Sequence, residues 1–179
     1  MDELIIKLQK AWTDIEPRIV EEAVTKLKNE VNAIDFTQEK IPETPNTYGI
    51  YLFQICLNHG TDISEFKNDF EQNWKIDKSP QIIVSRFKIT ETGTWYPLYI
   101  GKAEKLSNRI YEHCFQDKNK PTYGLKLKHR TELLDKVKIR YSYYKVADKE
   151  NPNKKAIQFV MTNLESAIRD KLNPWIGKQ

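Results

Sequence analysis

The chain has 179 residues, of which 30% are charged, 39% hydrophobic and 11% aromatic, a mixture that excludes a disordered chain, a collagen and a disulfide-framework protein. A chain of this length buries about 70% of the surface its unfolded form exposes, so it folds without staples. The net charge of +4 hides a division: residues 1–101 carry 11 basic and 16 acidic side chains (net −5), residues 102–155 carry 15 and 7 (net +8), and residues 156–179 carry 3 and 2 (net +1).

Apolar residues recur first at Leu4, Leu8, Ala11 and Ile15, then at Val20, Ala23, Val24, Leu27, Val31 and Ile34. Spacings of three and four predict two amphipathic helices. Pro17 suits the first turn of the second, so the first is expected to end near Ile15. Packing is the ordinary use of such stripes; a dimer contact or a DNA-facing arm is the less common one. Residues 36–47 hold Pro42, Pro45 and Asn46 without periodicity and read as a connection. Tyr48 to Leu57 is rich in β-branched and aromatic residues and reads as a buried strand. Asp62 can cap a short helix whose Ile63, Phe66, Phe70 and Trp74 share a face. Gln81–Ile89 and Thr94–Gly101 flank Thr90-Glu91-Thr92-Gly93, which predicts a hairpin, with Pro97 marking an edge or a bulge.

Leu106, Ile110 and Cys114 mark a helix, and a further helical stretch is expected over 125–135. Val137, Ile139, Tyr141 and Tyr143 alternate with Lys138, Arg140, Ser142 and Tyr144, the pattern of a half-exposed strand. Residues 148–155 form a polar loop. Ile157, Val160, Met161, Leu164, Ala167, Ile168 and Leu172 define a last helix that Pro174 ends. The order of elements predicts an α+β domain with a small, mostly antiparallel sheet covered by helices.

Two cysteines, Cys56 and Cys114, allow one bridge at most and point to free thiols in a reducing compartment. No apolar run approaches the roughly 18 residues of a membrane span. Met1-Asp2-Glu3 lacks the basic start of a secretory signal, so a cytoplasmic protein without a membrane partner is expected.

The paired CxxC, HExxH, phosphate-loop and GxSxG signatures are absent, and His59, His113 and His129 lack metal-ligand spacing. Other residues sit awkwardly for a purely structural part. Glu165 shares a helical stripe with Met161, Ile168 and Leu172, where a carboxylate must find a cation, a hydrogen bond or a metal. Arg109 and His113 lie four apart on one helix flank, and an arginine so placed can grip a phosphate through its planar fork. Two strands each bear a tyrosine near a glycine, in Tyr48-Gly49-Ile50-Tyr51 and in Tyr99-Ile100-Gly101-Lys102. Glycine weakens a strand unless another backbone or a ligand approaches closely there.

Gly49-Ile50-Tyr51 and Tyr99-Ile100-Gly101, followed by Lys102, Arg109, His113, Glu165 and Asn173 in that order, resemble the GIY-YIG nuclease superfamily from about Thr47 to Asn173. The resemblance divides the chain into an N-terminal helical extension over 1–45 and a nuclease domain over 46–179. An insertion at about 57–80 lengthens the span between the motifs, as in some restriction-type members. It implies a metal-dependent DNA endonuclease, with Tyr51, Tyr99, Arg109, His113 and Glu165 in catalysis. Gly49, Gly101, Lys102, Lys105 and Asn173 would lie against substrate, and Glu165 would hold Mg²⁺ (or Mn²⁺). It implies that Tyr51, beside Tyr99, positions and deprotonates the water, its pKa lowered by nearby cations, and that His113 bonds the phosphate or steadies a tyrosine. Lys118, Lys120, Lys126, Lys128, Arg130, Lys136, Lys138 and Arg140 could then track a DNA backbone, and Tyr141, Tyr143 and Tyr144 either stack on bases or pack. A restriction role would suit a homodimer, because dimers and palindromic sites share two-fold symmetry. Two other readings stay open: a DNA-binding module that does not cut, and an unrelated α+β protein.

Overall fold

The computed structural model describes residues 2–74 and 79–177. Eleven elements follow one another: α1 (Asp2–Asn29), β1 (Val31–Ala33), β2 (Tyr48–Leu57), α2 (Ile63–Asn73), β3 (Gln81–Ile82), β4 (Trp95–Ala103), α3 (Leu106–Phe115), α4 (Thr131–Lys136), β5 (Val137–Ala147), α5 (Lys154–Leu172) and β6 (Ile176–Gly177). The six strands form one sheet in the order β1-β5-β2-β4-β6-β3, antiparallel throughout except for β4 and β6. This is the α+β architecture expected, with a helix at the N-terminal end. Residues 75–78, part of the segment read as an insertion, lie outside the described residues.

The core has two layers because β2 is buried on both faces. Tyr51, Phe53, Ile55 and Leu57 point to one side, among side chains of α2, α3 and the loop before α4. Ile50 and Leu52 point to the other, against Val20, Ala23, Val24 and Leu27 of α1 and Ile157, Met161, Leu164 and Ile168 of α5. The period of two in β2 therefore decides which helices each residue meets. Asp62 caps α2 as expected, its Oδ1 accepting from the Glu65 amide at 2.7 Å. The thiols of Cys56 and Cys114 are free and buried. No helix among the described residues is long and apolar enough to cross a membrane.

Three expectations are corrected. The break near Ile15 is absent, for α1 runs unbroken from Asp2 to Asn29 with Pro17 inside it. Proline costs a helix one hydrogen bond, and here the buried stripe from Val20 onward continues regardless. Val31 belongs to edge strand β1, paired with Ser142, and not to a helix. Finally, Gln81–Ile89 and Thr94–Gly101 form no hairpin. The C-terminal strand β6 takes the edge of β4 at Tyr99, and β3 pairs with β6 instead. The residues that displace the expected partner are about 80 positions away in the chain. The irregularity expected at Pro97 is present: the β2–β4 register shifts between Phe53 and Gln54, and the Pro97 carbonyl accepts from the Trp175 amide at 3.1 Å.

Candidate active site

β2 and β4 lie side by side, with Tyr51 opposite Gly101 and Phe53 opposite Tyr99. A Cβ at position 101 would stand 2.3 Å from the Tyr51 hydroxyl oxygen, so the absent side chain is what lets the Tyr51 ring lie across β4. Gly49 has a different reason. A Cβ there would meet the Tyr144 carbonyl at 2.5 Å and Leu106 Cδ1 at 2.6 Å, so the start of α3 packs directly onto the strand. Both glycines are explained by close approach within the protein.

Tyr51, Tyr99 and His113 form a triangle of rings, with centroids 6.1 Å apart between the tyrosines and 5.3 and 5.1 Å from each to the histidine. His113 is fully buried. Its Nδ1 accepts from the Leu125 amide at 3.0 Å, and its Nε2 lies 2.8 Å from the Tyr51 hydroxyl. A backbone N–H can only donate, so the neutral ring carries its proton on Nε2 and donates it to Tyr51. Burial first, and the Arg109 charge second, hold His113 well below its ordinary pKa. The expectation that His113 bonds a phosphate is corrected, since both ring nitrogens are engaged inside the protein. Its other expected use, steadying a tyrosine, matches this geometry.

Burial holds the Tyr51 phenol well above its ordinary pKa, with Tyr99 adding to the rise and Arg109 opposing it. Tyr99 is raised for the same first reason, again opposed by Arg109. The expected lowering of Tyr51 by cations is thus outweighed: losing water costs a buried phenolate more than one guanidinium returns. Arg109, on α3, donates to Glu112 Oε2 at 2.7 Å and to the Tyr123 carbonyl at 2.5 Å. Burial draws its pKa down, but Tyr51 and Glu112 together draw it up further.

Glu165 is on α5, on the stripe expected, and its side chain is 14% exposed. Its Oε2 is 3.2 Å from Lys102 Nζ, and its Oε1 accepts from Arg169 at 2.6 Å. Lys102 also donates to Thr162 Oγ1 at 2.9 Å. The Glu165 charge adds to the rise of both Tyr51 and Tyr99, less than their burial does, so the carboxylate stands within electrostatic reach of the two phenols. Arg169 and Thr162 are the members that sequence reasoning missed. The signal was available in their spacing, because Arg169 follows Glu165 by four residues on a helix. Lys105 is exposed at the start of α3. Asn173 caps α5 in the left-handed region at φ 49°, a conformation asparagine tolerates, with its side chain exposed.

The donor set can be tested against Mg²⁺. No group of three His, Cys, Asp or Glu side chains gathers among the described residues. A lone carboxylate suits an ion that keeps most of its waters and takes other oxygens from substrate. Lys102 and Arg169 occupy two of the roughly four lone-pair directions of Glu165, which leaves room for an ion in competition with them.

The basic segment is not one surface track. Lys126 is buried, with its Nζ donating to the Lys118 carbonyl at 2.7 Å. Arg130 is buried over the Trp74 ring at 3.5 Å and donates to the carbonyls of Leu125, Asn73 and Trp74, which close the end of α2. Burial pulls its pKa down to about 9. Lys136 pairs with Glu65 and Asp69, Lys128 with Glu39, and Arg140 stacks on Trp95 at 4.0 Å. Lys118, Lys120 and Lys138 are exposed. Of the tyrosines expected either to stack or to pack, Tyr141 is buried with its hydroxyl 2.7 Å from Thr44 Oγ1, Tyr143 is half-buried against the core, and Tyr144 reaches Glu22 at 3.2 Å. Tyr141 packs fully, while Tyr143 and Tyr144 pack in part and keep part of their surface exposed.

Searches against protein-family models, curated proteins and solved structures give no match for this chain.

Proposed function

We propose that the protein is a metal-dependent endodeoxyribonuclease of the GIY-YIG type. The observation that carries the reading is the ring-to-ring gathering of Tyr51, Tyr99 and His113, with Arg109 and Glu165, from elements spread over more than a hundred residues of sequence, near enough for their charges to act on both phenols. In this reading Tyr51 orients the attacking water and takes its proton. His113 donates from Nε2 to the Tyr51 oxygen, which stabilises the phenolate as it forms. The neutral, water-poor surroundings keep Tyr51 protonated until the counter-charges that come with a phosphodiester lower its pKa; its own proton then passes to solvent, and the phenolate left behind accepts the proton of the attacking water. Tyr99 flanks Tyr51 and restricts the water to one side. Arg109 balances charge developing on the phosphate. Glu165 would hold a Mg²⁺ or Mn²⁺ ion, which when bound supplies charge neutralisation at the phosphate and leaving oxygen. Lys102 shares Glu165 and would turn to the phosphate. A restriction role, cutting within a palindromic site, is the version we favour over repair or a mobile element.

The test is nicking of supercoiled plasmid with Mg²⁺ or Mn²⁺. Wild type is expected to relax the plasmid, and Glu165→Ala to leave it intact. Identical DNA from both, across metals and substrates, overturns the reading.

A second reading has its own observation. Glu165 is already neutralised by Lys102 and Arg169, so the cluster is electrostatically complete without a metal. A module that holds DNA without cutting it fits that state. DNA binding that is equal in chelator and in Mg²⁺, with no cleavage in either, would select it.

A further inference from the structure

Two side chains of the candidate site are held by backbone groups, and both groups come from the loop between α3 and α4. The Tyr123 carbonyl accepts from Arg109 at 2.5 Å. Two residues further on, the Leu125 amide donates to His113 Nδ1 at 3.0 Å. Gly124 stands between them, packed on α3: a Cβ there would lie 3.0 Å from Gln116 Oε1 and 3.7 Å from the Glu112 carbonyl.

The loop is closed by Lys126. This lysine is fully buried, and its φ of 53° puts it in the left-handed region, which a residue with a Cβ seldom adopts. Its Nζ runs back to the start of the loop, donating to the Lys118 carbonyl at 2.7 Å, with the Lys120 carbonyl 3.5 Å away. A lysine on a solvated face needs neither the burial nor the backbone conformation; both are costs that the tie to those carbonyls offsets. Tyr123 and Leu125 lie within the stretch of chain that this tie closes. Releasing it would therefore disturb both site contacts together. Without the Leu125 N–H, His113 loses the donor that keeps its proton on Nε2, where it meets the Tyr51 hydroxyl at 2.8 Å. Without the Tyr123 carbonyl, Arg109 loses one of its anchors and keeps Glu112.

We propose that Lys126 is a positioning residue: by tying the loop to itself it fixes, through the Leu125 amide and the Tyr123 carbonyl, the tautomer of His113 and the aim of Arg109. Its effect on cutting rests on the nuclease reading; its hold on His113 does not.

Nitrogen NMR of the imidazoles in the full chain tests it, with the His113 signals assigned by comparison with His113→Gln. Wild type is expected to show a single His113 tautomer, protonated on Nε2. In Lys126→Met, which keeps an unbranched stem and removes the nitrogen, the two His113 signals should move toward each other as the tautomers mix. Lys126→Gly, in which the left-handed backbone is unstrained, should give the same result and covers the case of a methionine variant that does not fold. Lys118→Met removes a side chain from the same loop but keeps its carbonyl, so the His113 signals should stay in place. On plasmid, both Lys126 variants should nick about ten- to a hundredfold more slowly at saturating DNA, with the half-saturating DNA concentration changed less than about twofold. A folded Lys126 variant with the wild-type His113 spectrum overturns the proposal, as does an equal shift in Lys118→Met. A shifted spectrum with unslowed nicking overturns the part in cutting. Wild type that cuts no DNA overturns the nuclease reading, and the spectra by themselves then decide whether Lys126 holds His113.

Discussion

The candidate site has two halves that the protein manages by opposite means. One half, Tyr51, Tyr99 and His113, lies in the layer under α3, is almost dry, and is held in its neutral forms by burial. The other half, Glu165, Lys102 and Arg169, lies on α5 and the end of β4 and is held charged by mutual pairing at 3.2 and 2.6 Å. The sheet creates the difference, since neighbouring residues of a strand point to opposite layers. Burial makes a phenol's proton costly to remove and an imidazole's second proton costly to add, and pairing makes a charge costly to displace. A substrate that brings its own charge would act on both at once. Glu165 is the residue through which the charged half reaches the dry one, because its charge adds to the rise of both phenols while Arg109 opposes it.

The largest expected effect comes from removing the oxygen at the centre of the dry half. Tyr51→Phe should lower plasmid nicking by about a thousandfold or more if Tyr51 is the base. It should destabilise the fold by only about 1–3 kcal/mol, for the Nε2–H of His113 left without an acceptor. Nicking at the wild-type rate would remove Tyr51 from the chemistry and reduce the dry half to core packing.

Gly101→Ala attacks the same half through the backbone. The added methyl would meet the Tyr51 oxygen at 2.3 Å and Cζ at 2.5 Å, so the ring must leave its place. A loss of about 2–3 kcal/mol in urea unfolding is expected, with most of the activity. Gly60→Ala is a useful contrast: nothing lies within 4 Å of the new atom, and only its φ of 85° opposes it. It should cost about 1 kcal/mol and leave nicking unchanged.

The pH dependence of stability separates the halves next. His113 has a folded pKa below its unfolded value of about 6.5, so the unfolded chain binds more protons as pH falls. Its contribution is therefore complete above pH 6.5 and is lost as pH drops below it. Tyr51 and Tyr99 are raised, so their contribution is complete below about pH 10 and is lost above it. The urea midpoint should fall between pH 7 and pH 5, and His113→Gln should flatten that fall. An equally steep acid limb in the variant would place the proton uptake elsewhere.

The smallest effect should come from the charged half. Arg169→Gln keeps the length of the side chain and removes one of the two cations on Glu165. The Mg²⁺ concentration for half-maximal nicking should fall about three- to tenfold, because the ion no longer competes with the guanidinium. A rise would mean that Arg169 aims the carboxylate and does not compete for it.

Much of the site was legible because its residues sit where local rules are strong. β2 declares itself by a ten-residue run rich in β-branched and aromatic residues, α3 by Leu106, Ile110 and Cys114, and α5 by a stripe in which Glu165 alone is out of character. The rest was hidden for reasons that are also physical. Lys126 and Arg130 read as surface cations, because lysine and arginine usually are; the folded path of their own segment and the end of α2 bring in the carbonyls that receive them. The hairpin expected around Thr90-Glu91-Thr92-Gly93 fails, because β6, from the far end of the chain, takes the edge of β4.

By itself the sequence determined the period of each element, the stripe on which Glu165 stands, and the order of tyrosine, tyrosine, arginine, histidine and glutamate. These follow from the spacing of side chains along a helix or strand, which a few neighbours settle. Only the tertiary structure decided the chemical state of those groups. Whether Tyr51 is dry, which nitrogen of His113 carries the proton, and that Lys102 joins the neighbouring Arg169 on Glu165 all depend on residues 12 to more than 60 positions away. Solvation and hydrogen bonding act through space, and spacing along the chain carries no record of them.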